Sequence, residues 1–197
     1  MIVGGGVSDE ALMIRVTAGD MEALGLLFER YKQPLYGFLY RLLHDVACAE
    51  DVTLDVFLRL YDRRHTYRTG GKFSTWLYTI AHNLAADRLR QPSRCELPML
   101  PETAESLPQG GDLPADTFDR RELSAAVRAA VTALPEDQRL VIVLREFEGF
   151  SYREIADVLG AAEETIRVRA YRARRALRRA LAPYCEENLP AAVTFSP

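Results

Sequence analysis

An all-α fold of two small helical domains, a helical bundle and then a helix-turn-helix, is predicted by three features of this sequence. Apolar residues recur every three to four positions in both halves, no long stretch alternates with a period of two, and a proline-rich acidic stretch separates the halves. We place the first domain at residues 9–91, a flexible acidic linker at 92–118, the second domain at 119–184 and a disordered tail at 185–197.

Composition narrows the class of protein. The 197 residues are 48% hydrophobic and 27% charged, which excludes a disordered chain, and a net charge of −3 excludes a uniformly basic nucleic-acid coat protein. The longest aliphatic run, residues 140–144, is far shorter than the roughly 18 residues that span a bilayer. The first nine residues lack the features of a secretory signal. We therefore expect a cytoplasmic protein without membrane insertion.

Residues of the types that form catalytic or metal sites are scattered along the sequence. Cys48, Cys95 and Cys185 lie far apart and are expected to be free thiols in a reducing compartment, and the dispersed histidines do not favour a metal site. The sequence contains no recognisable spacing of histidine, carboxylate and nucleophile and no phosphate-binding glycine loop. We therefore expect no catalytic site, no cofactor and no small-molecule substrate.

The first domain is predicted to contain four helices. A short one lies between residues 8 and 18, and Asp20 is placed to cap a longer one in which Pro34 is expected to introduce a kink. Another fits residues 47–62, and the last begins near Ser74. Their apolar positions share one face of each helix, as in a small bundle.

Proline and glycine residues indicate where the linker lies and where the helices of the second domain begin and end. Residues 92–118 hold five prolines, a Gly-Gly pair, and five acidic residues against one arginine. A helix is predicted over 120–133, and Pro135 at a first helical position starts the next, which ends at Gly149.

A helix-turn-helix is predicted from residue 151 onward. Ser151 and Glu154 form a capping box, Ala156 is small where two helices cross, and Gly160 permits a positive φ in the turn. The final helix, about 163–181, contains seven arginines and two glutamates. Such a helix is either a solvated face or a recognition helix that contacts phosphates and guanine edges. The order of these three signals favours DNA binding.

Two sets of motifs resemble those of a known family. Residues 134–139, 149–156, 159–160 and 165–167 resemble region 4 of bacterial sigma factors of the extracytoplasmic-function (two-domain, sigma-70-related) type. Independently, residues 49–58 resemble the region 2 helix that meets RNA polymerase, and 73–83 resemble the segment that reads the −10 promoter element. The resemblance covers about 9–91 and 119–183, and its two sets of motifs stand in the family's order.

The resemblance implies a sigma factor without enzymatic activity that binds core RNA polymerase and directs promoter recognition and transcription initiation. Its implied partners are core RNA polymerase, promoter DNA and an anti-sigma factor. The alternative is a helix-turn-helix transcriptional regulator that does not engage polymerase, which leaves the motif at 73–83 unexplained.

Region 4 would bind the −35 element. By family correspondence Arg167, Val168, Tyr171 and Arg172 face the bases, and Arg169 and Arg174 contact phosphates. The full set of predicted contacts is Arg153, Thr165, Arg167, Val168, Arg169, Tyr171, Arg172 and Arg174. Glu164 stands where the family usually has glycine, and from it we expect an altered promoter preference without loss of DNA binding.

Region 2 would bind the −10 element through Lys72, Phe73, Trp76, Asn83, Arg88 and Arg90. Cations in this set are expected at phosphates, while Phe73, Trp76 and Asn83 are placed to stack on or hydrogen-bond single-stranded bases. Trp76 also lies on the apolar stripe of its helix, so core packing and base stacking are both open for it.

The predicted polymerase-binding residues are Glu50, Asp51, Leu54, Asp55 and Leu58. In the family this acidic surface docks on the coiled coil of the polymerase clamp. Leu54 stands where glutamine is usual, and the sequence leaves two placements open for it, an exposed apolar contact or an inward-facing side chain.

Overall fold

The computed structural model describes the backbone of residues 7–90 and 118–188, and the side chains of 7–90 and 123–184. Within these residues the chain forms α-helices and no β-strand, which confirms the predicted fold class. The helices are α1 (Asp9–Thr17), α2 (Met21–Leu43), α3 (Val46–Asp62), α4 (Phe73–Arg90), α5 (Phe118–Thr132), α6 (Glu136–Ile142), α7 (Tyr152–Leu159) and α8 (Glu163–Asn188). We call α1–α4 the N-terminal module and α5–α8 the C-terminal module.

Helix starts in the N-terminal module are set by capping side chains. Ser8, Asp20 and Asp45 precede α1, α2 and α3, and each accepts a hydrogen bond from a backbone N–H of the first turn. Asp20 accepts from two such groups, at 3.0 and 3.1 Å. As predicted, Asp20 is the cap of the long helix, and α2 continues through Pro34 to Leu43.

The core of the N-terminal module forms where α2 contacts α1, α3 and α4. Phe38 and Leu39 of α2 and Leu77 of α4 are fully buried. Aromatic rings meet edge to face, as in the pair Phe28–Phe57 with centroids 4.8 Å apart. This packing fixes the orientation of α3 and α4, the two helices on which the predicted binding residues lie.

The C-terminal module follows the prediction with three differences. Pro135 immediately precedes α6 instead of being its first residue. After α6 the chain makes a π-helical turn, Val143–Phe147, before Gly149. Helix α8 runs to Asn188, beyond the expected end at residue 181 and into the segment that we expected to be disordered. Residues 189–197 and the predicted linker, apart from its last residue, lie outside the described residues.

The helix-turn-helix is formed by α7 and α8. Ser151 and Glu154 make the reciprocal hydrogen bonds of a capping box, and Gly160 adopts a left-handed conformation with φ of +59° at the end of α7. Ile155 and Ile166 are fully buried between the helices. These features confirm the predicted turn and hold α8 with one face open to solvent.

Replacement of Gly160 by alanine is expected to destabilise this motif. No atom lies within 4 Å of a Cβ added at Gly160, so the cost arises from the left-handed backbone and not from a clash. For an L-residue that cost is about 1–2 kcal/mol. Denaturant unfolding of the wild type and of Gly160→Ala measures it. Gly25→Ala, at an open helical position in α2, is the control, and we expect it to be neutral or stabilising. Equal stability of wild type and Gly160→Ala would contradict this account of the turn.

The expectation of free thiols is wrong for one cysteine. Cys48 lies near the start of α3, is 4% exposed and is disulfide-bonded. Its partner is outside the described side chains. Cysteines that are far apart in the sequence can be close together in the fold. Their wide spacing in the sequence therefore could not exclude a disulfide bond.

The two modules pack against each other in the described conformation. Helix α7 lies along α4, and the π-helical turn and α6 contact α2. Buried apolar residues of both modules form one continuous cluster. Helix α4, which carries the predicted −10 contacts, is therefore also the main contact surface for the C-terminal module.

Candidate nucleic-acid and protein interfaces

The outer face of α8 presents predicted −35 residues to solvent. Thr165, Arg167, Val168, Tyr171 and Arg172 are exposed, with Val168 at 47% and Tyr171 at 67%. Buried residues at Ile166, Ala170 and Ala173 form the opposite face. The alternation follows the helical period, so these side chains share a surface that fits a major groove.

Arg167 is held in place before any ligand binds. Its Nε and Nη2 donate to Oε1 of Glu163 at 3.1 and 2.5 Å, and the guanidinium lies 5.1 Å from the ring centroid of Tyr152. These contacts orient Arg167 and neutralise part of its charge. The neighbouring Glu164 is exposed.

Two of the predicted phosphate contacts are engaged within the module. Arg169 pairs with Asp137 of α6 at 3.2 Å, and Arg174 pairs with Glu146 of the π-helical turn at 2.8 Å. Both arginine side chains are 32% exposed. These two ion pairs hold α8 against the rest of the module. The number of arginines in the sequence did not indicate this role. Arg153 of α7 is exposed.

The predicted base-contacting residues of α4 differ in their exposure to solvent. Asn83 is exposed. Trp76 is half-buried and makes a T-shaped contact with Tyr67, with ring centroids 5.3 Å apart. Trp76 thus packs on the core and remains partly accessible to solvent. The predicted stacking role of Phe73 needs correction, because its ring is fully buried and contacts Tyr31 and Trp76. In this conformation Phe73 supports Trp76 instead of meeting a base.

The three predicted phosphate cations of α4 and its N-terminal end each have an acidic partner. Lys72 contacts Glu154 of α7 at 2.5 Å. Arg88 contacts Asp55 of α3 at 2.8 Å, and Arg90 contacts Asp87. Binding of a phosphate would have to replace these partners.

The predicted polymerase-binding residues lie together on the exposed side of α3. Glu50 and Asp51 are exposed, Leu54 and Leu58 are 54% and 65% exposed, and Asp55 is half-buried beside Arg88. Leu54 therefore faces solvent, which decides between its two open placements. Two leucines at i and i+4, flanked by carboxylates, form an apolar ridge with an acidic rim. We call Leu54 and Leu58 the α3 ridge.

Glu154 combines a capping role with the contact to Lys72. Partial burial acts to raise the pKa of Glu154, but hydrogen bonds from Lys72 and Ser151 outweigh it and lower the pKa from 4.5 to about 2. The carboxylate is therefore favoured in the folded chain and stabilises it at neutral pH.

The stabilising effect of Glu154 is expected to depend on pH. Because its pKa is lower in the folded chain, the effect is complete above about pH 5 and falls as pH drops towards 2. The free energy of unfolding of wild type minus that of Glu154→Gln, measured between pH 7 and 3, should shrink as pH falls. A difference that is constant over this range would contradict the assignment.

Sequence reasoning missed a cluster at the contact between α4 and the C-terminal module. Tyr78 Oη donates to Oε2 of Glu148 at 2.6 Å, and Arg41 Nη1 lies 3.9 Å from Oε1 of Glu148. Arg41 also lies 4.3 Å from the ring centroid of Phe147. Tyr78 is 70 positions from Glu148, and no local pattern links them.

Neither a metal site nor a membrane span is found in the part of the chain that the structure describes. No group of three or more histidine, cysteine or acidic residues there is arranged to hold a metal ion. None of the described helices is long and apolar enough to cross a membrane.

Family models match both modules. The model for sigma-70 region 2 matches residues 27–95, and the model for sigma-70 region 4 matches 124–177. These two ranges contain the predicted polymerase-binding helix and the helix-turn-helix respectively.

Curated relatives match along nearly their whole length. RNA polymerase sigma-H factor of Pseudomonas aeruginosa is 36% identical, over 91% of this chain and 96% of the relative. ECF RNA polymerase sigma factor SigW of Bacillus subtilis is 34% identical, over 85% of this chain and 93% of the relative. ECF RNA polymerase sigma-E factor of Escherichia coli K12 is 33% identical, over 87% and 93%.

Two solved structures share the fold. CnrH in complex with the cytosolic domain of CnrY aligns with a TM-score of 0.67 and 25% identity, over 89% of this chain and 97% of that chain. The sigma factor RpoE of Bartonella quintana, in complex with the anti-sigma factor NepR, aligns with a TM-score of 0.64 and 25% identity, over 80% and 96%.

Proposed function

The chain belongs to the extracytoplasmic-function group of the sigma-70 family, and from this membership we propose a division of labour among three of its surfaces. It binds core RNA polymerase and directs promoter recognition and transcription initiation. In our assignment the α3 ridge and its acidic rim dock on polymerase, α4 reads the −10 element and α8 reads the −35 element.

One observation carries this assignment: each matched region presents the surface that its part of the function needs. In the region 2 match, α3 exposes two leucines beside carboxylates, a composition suited to a protein interface with an apolar centre. In the region 4 match, α8 exposes arginines, Val168 and Tyr171 on one face. A helix-turn-helix regulator independent of polymerase has no use for the first surface, so this alternative is set aside.

For the −35 element we propose Arg167, Val168, Tyr171 and Arg172 as base-facing residues, supported by their exposure on one face of α8. Arg153 and Thr165 flank them and are assigned to the DNA backbone. Arg169 and Arg174 can contact phosphates only if they release their carboxylate partners, Asp137 and Glu146 respectively.

For the −10 element we propose Asn83 as a hydrogen-bonding contact and the half-buried ring of Trp76 as a stacking surface. Lys72, Arg88 and Arg90 are proposed phosphate contacts after release of their acidic partners. Phe73 is assigned to support Trp76 from within the core.

We further propose that the chain catalyses no reaction by itself and acts in the cytoplasm, where the polymerase and promoters are. Core RNA polymerase and promoter DNA are its partners. We propose an anti-sigma factor as the third, because two relatives of the same fold were solved with the cytosolic domain of CnrY and with the anti-sigma factor NepR.

Formation of a complex with core polymerase tests the proposal. The purified chain is mixed with core polymerase and passed through gel filtration, and we expect the two to co-elute in equal amounts. A chain that elutes alone at micromolar concentrations, yet binds promoter duplex tightly and sequence-specifically, would support the regulator instead.

A further inference from the structure

Glu164 lies at the N-terminal end of the face of α8 that we assign to bases. The proposed base-facing residues follow it at spacings of three, four, seven and eight positions: Arg167, Val168, Tyr171 and Arg172. At about 100° per residue, all of them lie within about 80° of Glu164 around the helix axis. The opposite face is buried at Ile166 and Ala173. Glu164 is therefore the first residue of the same exposed stripe, about 4.5 Å along the axis before Arg167.

The neighbouring acid, Glu163, is already engaged within the helix. Helical geometry turns it about 100° away from Glu164 and to within about 20° of Ala170, which is buried. Its Oε1 accepts both hydrogen bonds from Arg167, and its side chain is 37% exposed. Glu164 is exposed and has no hydrogen-bond or ion-pair partner among the residues that the structure describes. Of the two acids, only Glu164 is therefore available to a ligand on the outer face.

Arg167 is held to one side of the stripe and leaves Glu164 unneutralised. Its guanidinium is bound by Glu163 and lies 5.1 Å from the ring centroid of Tyr152. Tyr152 is the first residue of α7, so these two contacts fix Arg167 towards the other helix of the motif. The start of the stripe thus presents a hydrogen-bond acceptor and a set of donors within one helical turn.

The major groove of DNA offers few donors to such an acceptor. An ionised carboxylate only accepts hydrogen bonds. In that groove guanine and thymine present acceptors, and only N6 of adenine and N4 of cytosine donate. Adenine N6 lies beside the acceptor N7 of the same base, which repels a carboxylate, whereas cytosine has no acceptor of its own there. A carboxylate in the major groove therefore favours cytosine.

An acid at this position also stabilises the helix without any ligand. Glu164 is the second residue of α8, where a negative charge interacts favourably with the helix dipole. The dipole requires only the charge, whereas a base contact requires both the charge and the reach of the side chain. Variants can therefore separate the two roles.

We propose that Glu164 is a specificity-determining residue that accepts a hydrogen bond from N4 of a cytosine in the −35 element. The recognition helix of a helix-turn-helix contacts base edges with its N-terminal residues, and Glu164 leads the exposed stripe. Arg167 suits a guanine, which we expect within about one or two base pairs of this cytosine, given the rise between the two residues. The inference rests on the proposed function, because it places the outer face of α8 on the −35 element.

Base preference measured at each position of the −35 element tests the proposal. Holoenzyme assembled from core polymerase and the full chain is mixed with a promoter library in which this element is randomised, and the bound templates are sequenced. For the wild type we expect one position at which cytosine is preferred about tenfold over the other bases, the typical effect of one base contact. Glu164→Ala should abolish the preference at that position and leave the preferences at other positions unchanged.

Two conservative variants separate the base contact from the helix dipole. Glu164→Gln keeps the length and gains a donor, so the preference at that position should move from cytosine to adenine, which glutamine contacts through N6 and N7. Glu164→Asp keeps the charge but is one methylene shorter. Denaturant unfolding should show unchanged stability for Glu164→Asp, while its preference for cytosine falls. Asp157→Asn makes the same charge change as Glu164→Gln at an exposed position of α7, and it should leave all base preferences as in the wild type.

A preference profile that Glu164→Ala leaves unchanged, or alters equally at all positions, would overturn the proposal and leave Glu164 with the dipole role alone. The same library is also selected with the full chain in the absence of polymerase. If the chain does not bind core polymerase, the proposed function fails, and this second selection decides the role of Glu164 by the same comparison of variants. Absence of any cytosine preference of the wild type in both selections would also overturn it.

Discussion

Replacement of Leu58 by aspartate is expected to weaken binding to core polymerase at least thirtyfold while leaving the fold intact. The side chain is 65% exposed in the free chain, so a charge there costs the folded state little, within about 0.5–1 kcal/mol. At the centre of an interface the same charge is desolvated without a partner, and such positions are worth about 2 kcal/mol or more. The double variant with Leu54→Asp should remove measurable binding.

A matched control separates this effect from a general effect of surface charge. Leu26 of α2 is also an exposed leucine, at 43%, and lies outside the α3 ridge. Leu26→Asp should bind core polymerase as the wild type does. Binding is measured by titration of core polymerase against labelled chain, with circular dichroism to verify folding. Equal binding by Leu58→Asp and Leu26→Asp would show that the α3 ridge is not the docking surface.

Replacement of Arg167 or Arg172 by alanine is expected to reduce transcription from a −35-dependent promoter by about 5- to 150-fold, corresponding to 1–3 kcal/mol for a base-reading arginine. The loss of transcription should differ between the two variants. Arg172→Ala removes a cation alone, whereas Arg167→Ala also leaves Glu163 without its partner next to the DNA. We therefore expect the larger loss for Arg167→Ala.

A second substitution tests the role of Glu163 directly. In the background of Arg167→Ala, Glu163→Gln removes the unpaired charge and should recover part of the lost activity. Arg179→Ala is the control: Arg179 is exposed but lies about 10 Å along the helix from Arg172, taking 1.5 Å per residue. It should weaken binding equally at all promoter sequences. Losses of equal size for all three arginines would contradict base reading by the N-terminal part of α8.

Local signals in the sequence were sufficient for the helices themselves. Asp20 and the Ser151–Glu154 capping box start helices where they were predicted, and Gly160 ends α7 with the positive φ that its position required. Each of these helix starts and ends depends on residues within one or two helical turns. Backbone structure can be predicted from the sequence over that range. The exposed faces of α3 and α8 follow from the same periodicity.

Contacts between distant parts of the chain were not predictable in this way. Nothing near Tyr78 in the sequence indicates that its hydroxyl donates a hydrogen bond to Glu148. The ion pair of Lys72 with Glu154 and the disulfide of Cys48 were missed for the same reason. Phe73 was assigned to bases because of its motif, but its position at the first turn of α4 turns the ring into the core.

One of the unpredicted contacts involves a residue that the sequence analysis assigned to DNA. The sequence analysis assigned Lys72 to DNA, whereas in the described conformation Lys72 pairs with Glu154 of the helix-turn-helix. The exposed faces of single helices can thus be predicted from local sequence, whereas the contacts between the modules depend on pairs of residues that are far apart in the sequence.

Reconstituted transcription tests the central claim most directly. Purified chain and core polymerase are combined on a panel of templates carrying different −10 and −35 sequences, and transcripts are mapped at their 5′ ends. We predict transcripts from defined start sites that depend on the chain, on both elements and on the α3 ridge. Transcription that the chain does not alter, together with sequence-specific DNA binding by the chain alone, would contradict its assignment as a sigma factor.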